Sequence, residues 1–239
     1  AARRGGGKCL QAELGQATWR AGLCPPAYAQ QTPPAPCAPV EEICRKAIQK
    51  GKVPGAVAAI GHEGRMVWHG VFGQRSLLPP AEAMTWDTIF DMASLTKVLI
   101  TAPSIMQFYE RGLIALDTPA CHYLPAFAAN GKQDITIRQL LTHYSGLAPD
   151  LDLSFAWQGK QTGVRMLMNS APQTPPGEQF VYSDLNFITL GLIVERLSGQ
   201  PLAAYALAHT LQPLGFHTSF FLPSSSYPNT IPPPPYYEN

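Results

Sequence analysis

Two β-rich runs followed by a long series of helical segments, with no βαβα alternation, predict an α+β fold. The first observation behind this is the pair "GAVAAIG" and "MVWHGVFG". Each is short, apolar and glycine-bounded, and together they read as a hairpin through the 62–65 turn. The second is the 3.6-residue spacing of apolar positions from residue 94 onward, punctuated by glycine and proline stop signals. The third is composition: 239 residues with 46% hydrophobic content are enough to bury a core.

The elements follow in order. "VEEICRKAIQKG" carries Val40, Ile43, Ala47 and Ile48 at helical spacing, with Gly51 as its stop. After the hairpin, residues 94–111 form an apolar helix ended by Gly112. "DITIRQLLTH" gives a short helix capped at Asp134 or Thr136, and "TGVRMLMNSA" a third. Beyond the turn "TPPGE", "SDLNFITLGLIVERLSG" places Leu185, Ile188, Leu192 and Leu197 on one stripe, with Ser183 or Asp184 as N-cap and Gly199 as the end. "PLAAYALAHTLQPLGF" is a last helix, opened by Pro201 and closed by Pro213 and Gly215.

Prolines set the boundaries. Six of the 24 fall in 25–39 and six in 223–235, so 1–39 reads as a leader or Pro-rich segment, 40–222 as the domain, and 223–239 as a Pro-rich tail. The leader has a basic start (Arg3, Arg4, Lys8) and ends in "AYA", a small-x-small pattern, but lacks a continuous apolar core. A weak export signal, hence a periplasmic or secreted protein, and a plain disordered leader in a cytoplasmic one both stay open.

Composition excludes several classes. Seventeen Lys+Arg against 16 Asp+Glu create no field for nucleic acid, and no run of roughly 18 apolar residues suggests a membrane span. Cysteines 9, 24, 37, 44 and 121 show no CxxC, and the six histidines stand singly. Neither a metal site nor any other cofactor is expected.

The chemistry-bearing stretch is "DMASLTKVLI". Ser94 and Lys97 are three apart at a helix start, so their side chains share a face and can meet. The helix N-terminus and apolar Met92, Leu95, Val98 and Leu99 disfavour an ammonium, leaving Lys97 able to accept the serine proton. In "PPGEQFVYSDLNF", Tyr182 sits between a turn and a helix start. Beside a lysine it is a candidate general base, with Asp184 a residue able to hold that lysine. Tyr182 as a packed aromatic is the competing reading.

"DMASLTK", "ITIRQLLTHYSGL", "TPPGEQFVYSDLNFITLGLIVERLSGQPL" and "LQPLGFHTSFF", in this order, closely resemble the serine β-lactamase-related superfamily. The nearest part of it is the class C-like branch of D-alanyl-D-alanine carboxypeptidases, esterases and class C β-lactamases. The resemblance runs from about Ile43 to Leu222. It implies an antiparallel sheet flanked by helices plus an all-helical region. It also implies Ser94 as acylated nucleophile, Lys97 as its activator, Tyr182 as base or proton shuttle, and Asp184 at the substrate-binding position of a Y-x-N motif. Asp184 departs from that motif by replacing the amide donor with a carboxylate. His143, Tyr144 and Ser145 belong to a family hallmark, and a structural role is expected for His143, since adjacent side chains at a helix end point apart and no GxSxG elbow exists.

The resemblance also implies a third motif, K-T-G or H-x-G, on a later strand that donates an oxyanion-hole N–H. None occurs here, and "HTS" at 217–219 comes too early. The chain therefore reads as C-terminally truncated, with much of the sheet missing and weak or no turnover expected, since losing one oxyanion donor costs about 10²–10³ in rate. The expected function is a serine hydrolase acting through an acyl-enzyme on an ester, β-lactam or D-Ala peptide. The alternative is an inactive peptidoglycan- or ligand-binding domain. Partners are a small-molecule or peptide substrate, with no nucleic acid, and the pattern does not specify an oligomeric state.

Overall fold

A computed structural model describes residues 18–20, 37–216, 218–219 and 221. The expected leader signature, Cys9, Cys24, His217 and the Pro-rich tail lie outside these residues. The architecture is α+β, in two compact units: among the described residues one holds 19–20 and 37–91, and the other holds 18 and those from Met92 on.

In the first unit, helix α1 (Ala38–Gln49) starts two residues earlier than its apolar pattern, because Pro39 is pre-organised for a first helical turn. Strands β2 (Gly55–His62) and β3 (Arg65–Ser76) form the expected antiparallel hairpin. Its turn uses Glu63 and Gly64, both at positive φ. A two-residue strand, β4 (Glu82–Ala83), extends the sheet on β3 and is held there by an Arg75–Glu82 ion pair at 2.6 Å. The short strand β1 (Thr18–Arg20) pairs with β5 (Ile89–Asp91) in a separate two-stranded sheet. Trp68, Phe72 and Cys37 form this unit's core, with Val40, Cys44 and Ile48 of α1 packed on it. Gly73 is required at φ +68°, where an added Cβ would strike the Pro54 carbonyl.

The second unit is helical. The helix expected over 94–111 begins with a π-type turn (Lys97–Thr101) and continues as α2 (Ala102–Glu110), with Ser94 in the turn ahead of it. Pro103 accounts for the wide turn. It has no N–H, and its ring would meet the carbonyl four residues back, so the Ala102 N–H reaches Lys97 O instead. The same device recurs at the end of the chain. Helix α7 (Leu202–Ala206) widens into a π-turn (Leu207–Leu211) ahead of Pro213, and the His209 carbonyl accepts from Gln107 Nε2 at 3.0 Å.

Between them lie α3 (Ala120–Tyr123), α4 (Ile137–Leu141), α5 (Lys160–Asn169) and α6 (Asp184–Ser198). Thr136 is the cap of α4, with Gln139 returning the bond to form a capping box. The expected stripe on α6 gives way to burial on almost every face from Leu185 to Val194, with Leu197 exposed. A helix apolar all round is a core helix.

Lys132 is fully buried, and its ammonium donates to the carbonyls of Ala129, Met168 and Ser170. It therefore closes the C-terminal end of α5, where a cation is favoured, and Asn130 Nδ2 adds a bond to Asn169 O. Lys132→Met removes all three donors while keeping the side-chain bulk. Each buried acceptor left unpaired costs about 1–3 kcal/mol, so the variant is expected to lose about 3 kcal/mol or more. Urea unfolding with a lower midpoint and an unchanged slope is the check.

Candidate active site

All four residues singled out from the sequence lie in the second unit, and Lys97 joins them. Lys97 Nζ lies 2.9 Å from Ser94 Oγ and 2.6 Å from Asp184 Oδ1. It also sits 5.0 Å from the Tyr182 ring centroid and 5.9 Å from that of Phe187, within cation–π range. Ser94 follows Ala93, whose φ of +42° is costly for a residue with a Cβ. That strained turn presents an exposed hydroxyl ahead of the helix, while the Lys97 amide closes back onto the Ser94 carbonyl at 3.1 Å.

One expectation is corrected. Leu95, Val98 and Leu99 are exposed and do not enclose the Lys97 ammonium, whose immediate partner is a carboxylate. That carboxylate is Asp184, which holds the Lys97 ammonium. Ser183 stands at the N-cap of α6, but its hydroxyl donates to Ala148 O at 2.6 Å and makes no cap bond. Tyr182 is 47% exposed and is not a buried packing aromatic.

What holds the turn carrying Tyr182 and Asp184 is the segment 143–150, which runs beside it. Gln173 N–H donates to Gly146 O, Gly177 N–H to Tyr144 O, Val181 N–H to His143 O and Asp184 N–H to Pro149 O, all at 2.7–2.9 Å. Gly146, at φ +76°, leaves no room for a side chain because an added Cβ would collide with the Thr174 carbonyl. The "THYSGL" stretch is thus the backbone template of the "YSD" stretch, which explains physically why the two occur together.

Two residues here were not assigned to the site from the sequence. His143, at φ +62°, lies against Tyr182 with ring centroids 4.5 Å apart, and its Nδ1 accepts from the Ser183 N–H at 3.1 Å. Burial, then the Lys97 charge, hold its imidazole below the ordinary histidine value, with Asp184 opposing. Asp150 is half-buried near the pair. Burial pushes its carboxyl above the usual value and the charge of Asp184 adds to that, while the Leu151 N–H bond and Lys97 act against it. The sequence carries no signal for Asp150. Ser145 is buried, and its hydroxyl donates to Asn186 Oδ1 at 2.5 Å, so it has no nucleophile's access to solvent.

Among the described residues, no group of three His, Cys, Asp or Glu side chains is placed to hold a metal ion, and no helix is long and apolar enough to cross a membrane.

The family described as Beta-lactamase matches residues 40–230. The chain belongs to the β-lactamase family. Within it, the chain is 31% identical over 212 residues to esterase EstB of Burkholderia gladioli, covering 77% of this chain and 51% of that protein. It is 30% identical over 189 residues to Protein flp of Staphylococcus aureus strain MW2, covering 76% of this chain and 38% of that protein. Among solved structures, EstCE1, described as a hydrolase with promiscuous acyltransferase activity, superposes with a TM-score of 0.66 at 25% identity. The match covers 75% of this chain and 51% of EstCE1. The chain thus spans about half or less of the length of these β-lactamase-family relatives. The chain has the β-lactamase-like α+β fold.

Proposed function

We propose that Ser94 is the nucleophile of an acyl-enzyme hydrolase acting on an ester or amide, with Lys97 as its base. The observation that carries this reading is the 2.9 Å contact between Ser94 Oγ and Lys97 Nζ, made by a lysine that Asp184 holds from the other side. The esterase relative supports it.

The step uses Lys97 as an amine, with Asp184 Oδ1, 2.6 Å away, placed to hold the proton it gives up. Ser94 Oγ then bonds to the substrate carbonyl carbon while its proton passes to Lys97, and the carbonyl electron pair moves to oxygen. Collapse of the tetrahedral species breaks the bond to the leaving group, which departs protonated from Lys97 by way of Tyr182. Water attacks the acyl-enzyme by the reverse proton path and frees the acid.

A burst of alcohol release equal to the enzyme concentration, followed by slower turnover of a p-nitrophenyl ester, is the expected result in the natural protein. Absence of both burst and turnover contradicts the reading.

A second reading, a ligand-binding domain without turnover, is favoured by the carboxylate of Asp184 at the position where the family motif carries an amide. It predicts muropeptide binding that survives Ser94→Ala, with no hydrolysis by the unsubstituted protein.

Asp184 gives a graded test. Asp184→Ala removes a hydrogen bond to a charged group, worth about 1.5–3 kcal/mol, and should lower kcat/KM roughly 10–100-fold. Asp184→Asn keeps an oxygen for Lys97 and should lose less than Ala. Steady-state ester kinetics on both variants is the measurement, and equal losses would remove Asp184 from the scheme.

A further inference from the structure

We propose that His143 is the positioning residue of Tyr182: it holds the backbone on both sides of that tyrosine, Val181 through its own carbonyl and Ser183 through Nδ1 of a neutral imidazole, and protonation of the ring releases the Ser183 side. This rests on the hydrolase reading for its effect on rate, but the lock itself is a matter of hydrogen-bond direction.

His143 takes the N–H of Val181 on its carbonyl at 2.9 Å and the N–H of Ser183 on Nδ1 at 3.1 Å, so both neighbours of Tyr182 are bonded to one residue. The second of these requires a lone pair on Nδ1. The surrounding chain of bonds dictates the same. Leu147 N–H donates to Ser145 Oγ at 3.1 Å, and the Ser145 hydroxyl donates in turn to Asn186 Oδ1. The Asn186 amide is thereby oriented with its Nδ2, a donor alone, toward His143 Nδ1 at 3.3 Å. Two donors face Nδ1, so the ring carries its proton on Nε2.

The ring is also wedged among aromatics. Tyr182 lies at 4.5 Å and Phe187 at 5.2 Å, both tilted, and Phe180 meets it edge-on at 5.9 Å. Moving the imidazole therefore moves the face on which Tyr182 rests. The charged and titratable groups facing it are Lys97 from the π-turn, Asp184 from the start of α6, and Tyr182 itself. Lys97 and burial favour the neutral ring, and Asp184 favours the cation.

A proton added at Nδ1 meets two N–H donors and the Lys97 charge, so it breaks the Ser183 bond and leaves His143 holding the turn through the Val181 bond alone. In the unfolded chain the imidazole titrates at its ordinary value near 6.5, and in the folded chain below it. The unfolded state thus binds more protons as pH falls through that value, and the turn loses stability on the acid side.

Asparagine is the discriminating substitution. Its Oδ1 can replace Nδ1 as acceptor, it tolerates positive φ, and it does not titrate. In the natural protein, His143→Asn should keep ester kcat within about threefold at neutral pH while removing the fall in rate that the unsubstituted protein shows on the acid side of the ordinary histidine value. His143→Leu, which keeps bulk but has no acceptor, should lower kcat at least tenfold with little change in KM. An acid limb in His143→Asn identical to the unsubstituted protein would overturn the proposal. Imidazole ¹⁵N resonances supply a readout independent of turnover, and so of the hydrolase reading. An unprotonated, pyridine-type Nδ1 at neutral pH is expected, and a protonated Nδ1 would overturn the proposal even in a protein with normal activity.

Discussion

Ser94→Ala is expected to abolish ester turnover, lowering kcat about 10⁴-fold or more to the level set by binding alone, because neither neighbouring serine among the described residues can take its place. Ser145 is buried and bonded to Asn186, and Ser183 is buried and bonded to Ala148. Neither reaches a bound carbonyl without dismantling the bonds that hold the site. The substitution should leave stability nearly unchanged, since the exposed Ser94 side chain bonds within the site only to Lys97. Equal melting temperatures together with lost turnover would assign the effect to chemistry. Turnover retained within tenfold would contradict the assignment.

Lys97→Ala should cost nearly as much, about 10³-fold in kcat, because one side chain links three groups: Ser94 Oγ at 2.9 Å, Asp184 Oδ1 at 2.6 Å and the Tyr182 ring at 5.0 Å. General acid–base assistance alone accounts for about 10²–10⁴-fold. Removing the ammonium also takes the 2.6 Å ion pair from the Asp184 carboxylate, so some loss of stability should accompany the kinetic effect. Lys97→Arg separates the two roles. Arginine keeps the charge for Asp184 but does not give up its proton at accessible pH, so it should restore stability without restoring rate. Thermal unfolding and pre-steady-state acylation on the two variants test this, and a fast Lys97→Arg enzyme would show that the residue acts only as a charge.

The contrast between what could and could not be read from the sequence follows from the range of the interactions. The hairpin was legible because glycines bound its apolar runs and the turn is local. The Thr136 cap was legible because its partner Gln139 is three residues away. Ser94 and Lys97 were legible for the same reason, being one helical turn apart. The Lys97 environment was misjudged, since the apolar neighbours in sequence turn outward and the deciding contact, Asp184, comes from a distant helix start. The α6 stripe was misjudged because a helix buried on all sides has no polar face to define one. The sequence suggests a structural role for His143 but does not show its hold on the tyrosine: that hold is made with Val181 and Ser183, about forty positions on, and with the backbone N–H of each rather than a side chain. The π-turns did leave a trace, in Pro103 and Pro213, each of which forbids a regular bond to the carbonyl four residues earlier.

The central claim is that Ser94 becomes acylated. Intact-protein mass spectrometry after brief exposure of the natural protein to a slowly deacylating ester or a fluorophosphonate tests it directly, with the modified peptide then sequenced. A single adduct on Ser94, absent from Ser94→Ala and much slower to form in Lys97→Ala, is the predicted result. An adduct on any other residue, or none in a folded protein, would contradict the account.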